Sequence, residues 1–140
     1  MITAVDTNVL LDILLPNELF VEASTKALEG VSAQGSLVIC DLVYAELCVN
    51  FKTQDECDTF LEENQIRSEP LSRAASFLAS QLWRAYRRRG GPRKRILSDF
   101  LIGAHAQSQA SQLLSRDRGF YREMFRSLVL IDPSIPKHQT

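Results

Sequence analysis

The sequence predicts an α/β protein built on a parallel sheet with both faces covered. Three observations carry that expectation. Short apolar runs with few polar positions, such as Met1–Val5 and Ser36–Cys40, read as strands buried on both sides. Longer stretches between them carry helical periodicity, as the crossovers of parallel strands require. The chain has 140 residues, of which 45% are hydrophobic, enough for one domain with a substantial core. No internal repeat or low-complexity linker divides it. The expected organisation is a single domain over 1–140 with a tail at about 134–140.

Met1–Val5 is the first predicted strand, ending at Asp6. Thr7–Leu15 is a predicted helix stopped by Pro16, which cannot continue the backbone hydrogen bonding. Asn17 is placed to cap a helix over Glu18–Ala33 with an apolar stripe of Phe20, Ala23, Ala27 and Val31, closed by Gly35. Ser36–Cys40 is the second strand, and Asp41 is expected to cap a helix running to about Phe51. Asp55–Asn64 reads as a short acidic helix and Ile66–Ser68 as a short strand. Ser72–Arg89 is a long helix broken at Gly90-Gly91-Pro92, read as a flexible break. Ser98 is expected to cap a helix to about Ser108. Gln112–Ser115 and Ser127–Ile131 are the last strands, with a short helix between them.

Composition excludes several classes. No apolar run approaches the ~18 residues of a membrane span, because Asp12 interrupts the only candidate. Met1–Val5 lacks the basic cluster of a signal peptide, so a cytoplasmic protein without a membrane partner is expected. Cys40, Cys48 and Cys57 are odd in number and form no CxxC pair, so no disulfide scaffold or cysteine zinc site is indicated. There is no GxSxG elbow, no GxxxxGK[ST] phosphate loop and no GxGxxG turn. His105 lies six residues past Asp99, about 240° around its helix, and is read as structural or exposed.

The net charge of −1 hides a strong asymmetry. Residues 1–70 hold 3 basic and 13 acidic side chains, whereas residues 71–140 hold 13 basic and 4 acidic. Arg84, Arg87, Arg88, Arg89, Arg93, Lys94 and Arg95 follow one another with no acid among them. Such a segment is an electrostatic footprint for a polyanion or an acidic partner.

Four carboxylates stand out. Asp6 follows the first strand and Asp117 follows the strand ending at Ser115, so both project at one sheet edge if the strands are parallel. Glu46 interrupts a mostly apolar face formed with Leu42, Val43, Val49 and Asn50. Asp99 shares a face with Ile102, Gly103 and Ala106. Each has an ordinary alternative as a helix cap, turn residue or solvated side chain. Aimed at one rim, however, such acids repel unless a cation or a proton neutralises them. Hard oxygen ligands without sulfur or imidazole favour Mg2+ or Mn2+. That set, beside a basic segment, points to metal-assisted phosphodiester hydrolysis.

The stretches Val5–Asp12, Leu42–Leu47 around Glu46, Ser98–Ala106 and Leu113–Phe120 together resemble the PIN-domain ribonucleases, and within them the VapC-like toxins of toxin–antitoxin pairs. The resemblance runs in order over nearly the whole chain. It implies a three-layer α/β/α sandwich, divalent-metal cleavage of RNA, homodimerisation and inhibition by a cognate antitoxin. By position it implies Asp6, Glu46, Asp99 and Asp117 as the catalytic and metal-binding acids, Ser115 as a residue orienting Asp6 or water, and Asn8 as a brace for its turn. Gly119 stands where many relatives carry a further acid, which puts a second metal site in question. Assignment of Arg87, Arg88, Arg89, Arg93, Lys94 and Arg95 to RNA or a partner rests on charge alone. Two alternatives remain: a non-catalytic RNA- or partner-binding module with a structural metal, and an aspartyl-nucleophile phosphatase. The latter needs an acid where Asn8 stands.

Overall fold

The computed structural model describes residues 1–92 and 96–133. The chain runs β1 (Ile2–Val5), α1 (Thr7–Leu14), α2 (Val21–Gln34), β2 (Ser36–Cys40), α3 (Asp41–Cys48), α4 (Gln54–Glu63), β3 (Ile66–Glu69), α5 (Arg73–Arg88), α6 (Leu97–Gln109), β4 (Gln112–Leu114), α7 (Arg118–Met124) and β5 (Leu130–Ile131). All strand pairings are parallel, in the order β3-β2-β1-β4-β5. Successive strand residues point to opposite faces. Thr3, Ala4 and Val5, Leu37 to Cys40, and Gln112 to Leu114 are each buried in unbroken runs, so helices cover both faces as an α/β/α sandwich.

The strand order fixes where a ligand belongs. From β1 the chain builds β2 and β3 on one side, then returns to place β4 and β5 on the other. The reversal creates a crevice beyond the carboxyl ends of β1 and β4, the place where open parallel sheets bind ligands. The Asp6 N–H donates to the Leu114 carbonyl at 2.9 Å, stitching those two strand ends together.

Several helix ends differ from expectation. Asn17 does not cap a helix; its Oδ1 accepts from the Leu19 N–H at 3.0 Å in a local turn, and α2 starts only at Val21. Val31 is buried as expected, but Ser24 and Leu28 take the buried places expected of Ala23 and Ala27, one position earlier. Cys40, not Asp41, holds the N-cap position of α3, and Asp41 Oδ2 instead accepts from the Leu71 N–H at 3.3 Å. Thr53 and Ser72, not named as caps in the sequence reading, cap α4 and α5. Ser98 lies inside α6, whose N-cap is Ile96. An isoleucine has no side-chain acceptor, so Asp99 supplies the return bond, its Oδ2 accepting from the Ile96 N–H at 3.1 Å.

The Gly90-Gly91-Pro92 break is built rather than loose. The Gly90 N–H donates to Arg87 and the Gly91 N–H to Tyr86, the paired bonds of a Schellman ending, with Gly90 at φ +72. Tyr86 then clamps the turn, its hydroxyl donating to the Pro92 carbonyl at 2.6 Å. On α5 the buried residues are Ala75, Ala79 and Tyr86, while Phe77 is 64% exposed. Below α6 lies an aromatic cluster of Phe100, Phe120, Tyr121 and Phe125, with the Phe100 and Phe120 rings 5.1 Å apart. Gly103 admits it, because a Cβ there would collide with the Phe125 ring. That cluster seats α7 and thereby orients Tyr121.

Candidate active site

Asp6 ends β1 and caps α1, its Oδ1 accepting from the Thr7 N–H at 2.7 Å. Its other oxygen, Oδ2, accepts from Ser115 Oγ at 2.8 Å, Tyr121 OH at 3.0 Å and Asn8 Nδ2 at 3.4 Å. Every one of those donors is neutral, while Asp6 itself is only 6% exposed. Burial therefore dominates and pushes its pKa up to about 6, against the hydrogen bonds that favour the ion; the charge of Glu46 adds to the rise. A buried acid held ionisable by dipoles alone calls for positive charge from outside the chain's own hydrogen-bond network.

The supporting residues form a continuous frame across the switch point. Asn8 Nδ2 also reaches Ser115 Oγ at 3.3 Å, and Asn8 Oδ1 accepts from the Arg116 N–H at 3.1 Å. Ser115 Oγ accepts from the Asp117 N–H at 3.0 Å, fixing the turn that carries Asp117 to the N-cap of α7. One hydroxyl thus ties the acid after β1 to the acid after β4.

Glu46 arrives from α3 and differs from the sequence reading. It does not lie on a core-facing stripe. The buried residues of that helix are Val43 and Leu47, four apart, and Glu46 stands on the exposed flank beside them. Its Oε1 accepts at 2.7 Å from the Oγ1 of Thr7, the residue next to Asp6 in the chain, which brings Glu46 to the same rim. Asp99 enters from the first turn of α6; burial raises the Tyr121 pKa well above the ordinary value, and the charges of Asp6, Asp99 and Asp117 raise it further.

The four acids therefore share a neighbourhood without forming a ready cage. Among the described residues, no three His, Cys, Asp or Glu side chains are gathered to hold one ion. The reason is local: Glu46 is turned to Thr7 Oγ1 and Asp99 to the Ile96 N–H. In kind, the donor set fits a hard divalent cation, being all carboxylate and hydroxyl oxygen.

His105 is buried and bonds Glu69 Oε1 at 2.8 Å, away from these acids, so it is structural. Arg87, Arg88 and Arg89 are exposed at the end of α5, with the Arg87 guanidinium 4.9 Å from the Trp83 ring centroid. Arg84, Arg88 and Arg89 line a shallow cleft of about 440 Å³ with Gln81 and Ala85. Arg93, Lys94 and Arg95, like the tail from 134, lie outside the described residues.

Sequence reading missed two site features. Tyr121, which no sequence motif singled out, touches Asp6 with its hydroxyl; the available signal was its position four residues after Asp117, one turn along the helix. Asp12 was noted only as an interruption of an apolar run. It is 3% exposed, held by Arg116 through two bonds of 2.7 and 2.9 Å and by Ser24 Oγ at 2.7 Å. Arg116 also stacks over Phe20, its guanidinium 4.0 Å from the ring centroid.

Fold and site together define a parallel α/β/α protein whose switch-point crevice is rimmed by carboxylates. The chain belongs to the PIN domain family, whose profile matches residues 3–123. Its fold is similar to that of VapBC2 from Rickettsia felis bound to a DNA fragment from its promoter, at 20% identity and TM-score 0.71, covering 94% of this chain and 98% of that one. It is similar also to VapBC-1 from nontypeable Haemophilus influenzae, at 17% identity and TM-score 0.72, covering 96% and 100%. A toxin–antitoxin complex from Klebsiella pneumoniae matches at 20% identity and TM-score 0.68, covering 96% and 99%. No curated protein matches at the sequence level.

Proposed function

We propose that this chain is a divalent-metal-dependent endoribonuclease, a single domain over 1–140, acting as the toxin of a toxin–antitoxin pair. The observation that carries the reading is Asp6: a carboxylate 6% exposed, at the switch point of a PIN-domain sheet, held only by neutral donors. Asp6, Glu46, Asp99 and Asp117 would hold Mg2+ or Mn2+. A divalent cation there supplies positive charge at a phosphoryl oxygen and acidifies water for attack.

The chain's own residues do the rest. Ser115, Tyr121 and Asn8 anchor Asp6 Oδ2, leaving Oδ1, bonded to the Thr7 N–H, as the oxygen offered to a ligand. Glu46 and Asp99 would join it, each with one carboxylate oxygen now bonded to Thr7 Oγ1 or the Ile96 N–H. Their present bonds are ones that water or substrate can replace at an open rim. The exposed arginines of α5 supply the attraction for an RNA backbone.

An antitoxin partner is proposed from the neighbours, which are toxin–antitoxin assemblies. Exposed Leu15, Leu19, Val49 and Phe77 offer apolar anchors for such a partner or for a homodimer. Among the described residues no helix is long and apolar enough to cross a membrane, and RNA cleavage of this kind belongs in the cytoplasm.

The test is RNA cleavage by the purified chain with and without chelator. We expect cleavage with Mg2+ or Mn2+, abolished by EDTA and lost in both Asp6→Asn and Asp99→Asn. Undiminished cleavage in both variants rejects the assignment. Replacing Arg87, Arg88 and Arg89 with Ala should weaken RNA binding and flatten its salt dependence; if only antitoxin binding changes, that face is a partner surface.

A further inference from the structure

The last residue of α3 and the first turn of α4 bring two thiols together: Cys48 Sγ and Cys57 Sγ are 3.5 Å apart. All three cysteines are free, and Cys40 is buried at the end of β2, outside this pair. The contact bridges two helices joined by a short turn in which the Asn50 and Phe51 N–H groups bond back to Leu47 and Cys48. Nothing in the chemistry proposed above uses either sulfur.

We propose that Cys48 and Cys57 are an oxidative modification site, closing to an intramolecular disulfide when the protein meets a low-molecular-weight disulfide such as oxidised glutathione. A disulfide needs the sulfurs at about 2.05 Å, so they must approach by roughly 1.5 Å, a displacement that side-chain rotation and a shift of the turn provide. The division of labour follows from exposure. Cys48 is partly exposed and Cys57 is fully buried. Burial and the neighbouring Cys48 push the Cys57 thiol up to about 12, so Cys57 is a poor first nucleophile. The Cys48 thiolate attacks one sulfur of the oxidant, forming a mixed disulfide and expelling one small thiolate, which takes up the proton Cys48 gave. Cys57, losing its proton, then attacks Cys48 Sγ and expels the second small thiol. Two protein thiols and one small disulfide become one protein disulfide and two small thiols, so atoms and electrons balance.

The bond would staple the end of α3, two residues from Glu46, to α4. An interhelical bond at this place holds Glu46's helix by its C-terminal turn, and it stabilises the hairpin by restricting the unfolded chain.

The experiment treats the reduced full chain with oxidised glutathione, followed by intact mass, thiol titration and peptide mapping. We expect loss of two hydrogens and of two titratable thiols, a Cys48–Cys57 linked peptide, an unmodified Cys40, and a melting temperature raised by several degrees and restored by reductant. The Cys57→Ala variant should instead accumulate a stable glutathione adduct on Cys48, and the Cys40→Ala variant should behave as the parent. A persistent adduct on the parent chain, a linkage through Cys40, a Cys48–Cys48 dimer, or three unreacted thiols each overturns the proposal. The parent's peptide map decides the matter even if a variant fails to fold.

Discussion

Two buried carboxylates flank α1, and they are treated in opposite ways. Asp6 at its start and Asp12 within it are 6% and 3% exposed. Consecutive residues after β4 reach them: Ser115 bonds Asp6, and Arg116 bonds Asp12. Asp12 receives a full countercharge in a two-bond guanidinium grip, plus a serine hydroxyl. Asp6 receives only hydroxyls, an amide and a backbone N–H. A buried charge is tolerable only when something matches it. At Asp12 the fold has matched it internally, so that acid is structural. At Asp6 it has not, and the mismatch sits in the crevice where the sheet topology admits a ligand. Equal burial therefore separates into two roles according to what the next residue along β4's exit supplies.

The largest expected effect breaks the structural member. Arg116→Ala leaves Asp12 buried with only the Ser24 hydroxyl for a side-chain partner, and should destabilise the fold by about 3–5 kcal/mol, the usual consequence of removing one partner of a buried pair. A urea unfolding midpoint unchanged from the parent would show that Asp12 is solvated and remove the contrast.

Asp6→Asn should move stability the other way. In the folded chain Asp6 titrates at about 6 against an ordinary 3.8. Between those values the folded state binds more protons than the unfolded state. Asp6's contribution is therefore most favourable below pH 3.8 and is lost as pH rises through about 6. At neutral pH with chelator present, Asp6→Asn should be more stable than the parent by up to about 3 kcal/mol, since each pKa unit is worth about 1.4 kcal/mol. That gap should close below pH 4, because both side chains are then neutral. Parallel unfolding curves across the whole range would remove the linkage. Saturating Mg2+ or Mn2+ should raise the parent's melting temperature at neutral pH and leave Asp6→Asn unmoved, as expected for an ion that binds the folded state alone. A parent indifferent to both metals, across calorimetric scans, would count against Asp6 as a ligand.

Tyr121→Phe is the smallest change. It removes one of several donors to Asp6 while keeping the ring in its aromatic cluster. The cost should be about 1 kcal/mol, read as a modest drop in the unfolding midpoint at pH 7. A loss as large as that of Arg116→Ala would mean that the hydroxyl, rather than Ser115, holds the acid.

Much of the fold was legible because local rules and tertiary context agree. The buried strands around Thr3–Val5 and Leu37–Cys40 have no polar face to confuse their reading, and α5 lies within a residue of its expected bounds at each end. Where expectation failed, two local options were nearly equal. Asn17 is as good in an Asx turn as at a helix cap, and Ser98 had Asp99 beside it to satisfy the same end. Glu46 was assigned to the wrong flank of α3 because in an eight-residue helix the stripe through Val43 and Leu47 and the one through Leu42 and Val49 lie close together. Only the sheet beneath decides between them.

The sequence by itself determined the alternation of strand and helix, the parallel sheet that alternation enforces, and the positions of Asp6 and Asp117 just past two strand ends. These depend on near neighbours in the chain, through periodicity and the geometry of crossover connections. Tertiary structure alone decided that Arg116 neutralises Asp12 while Asp6 is left to neutral donors, that Glu46 reaches Thr7, and that Cys48 meets Cys57. Those pairings depend on distances of a few ångström between side chains carried by different elements, and such distances are set by how the layers pack rather than by any spacing along the chain.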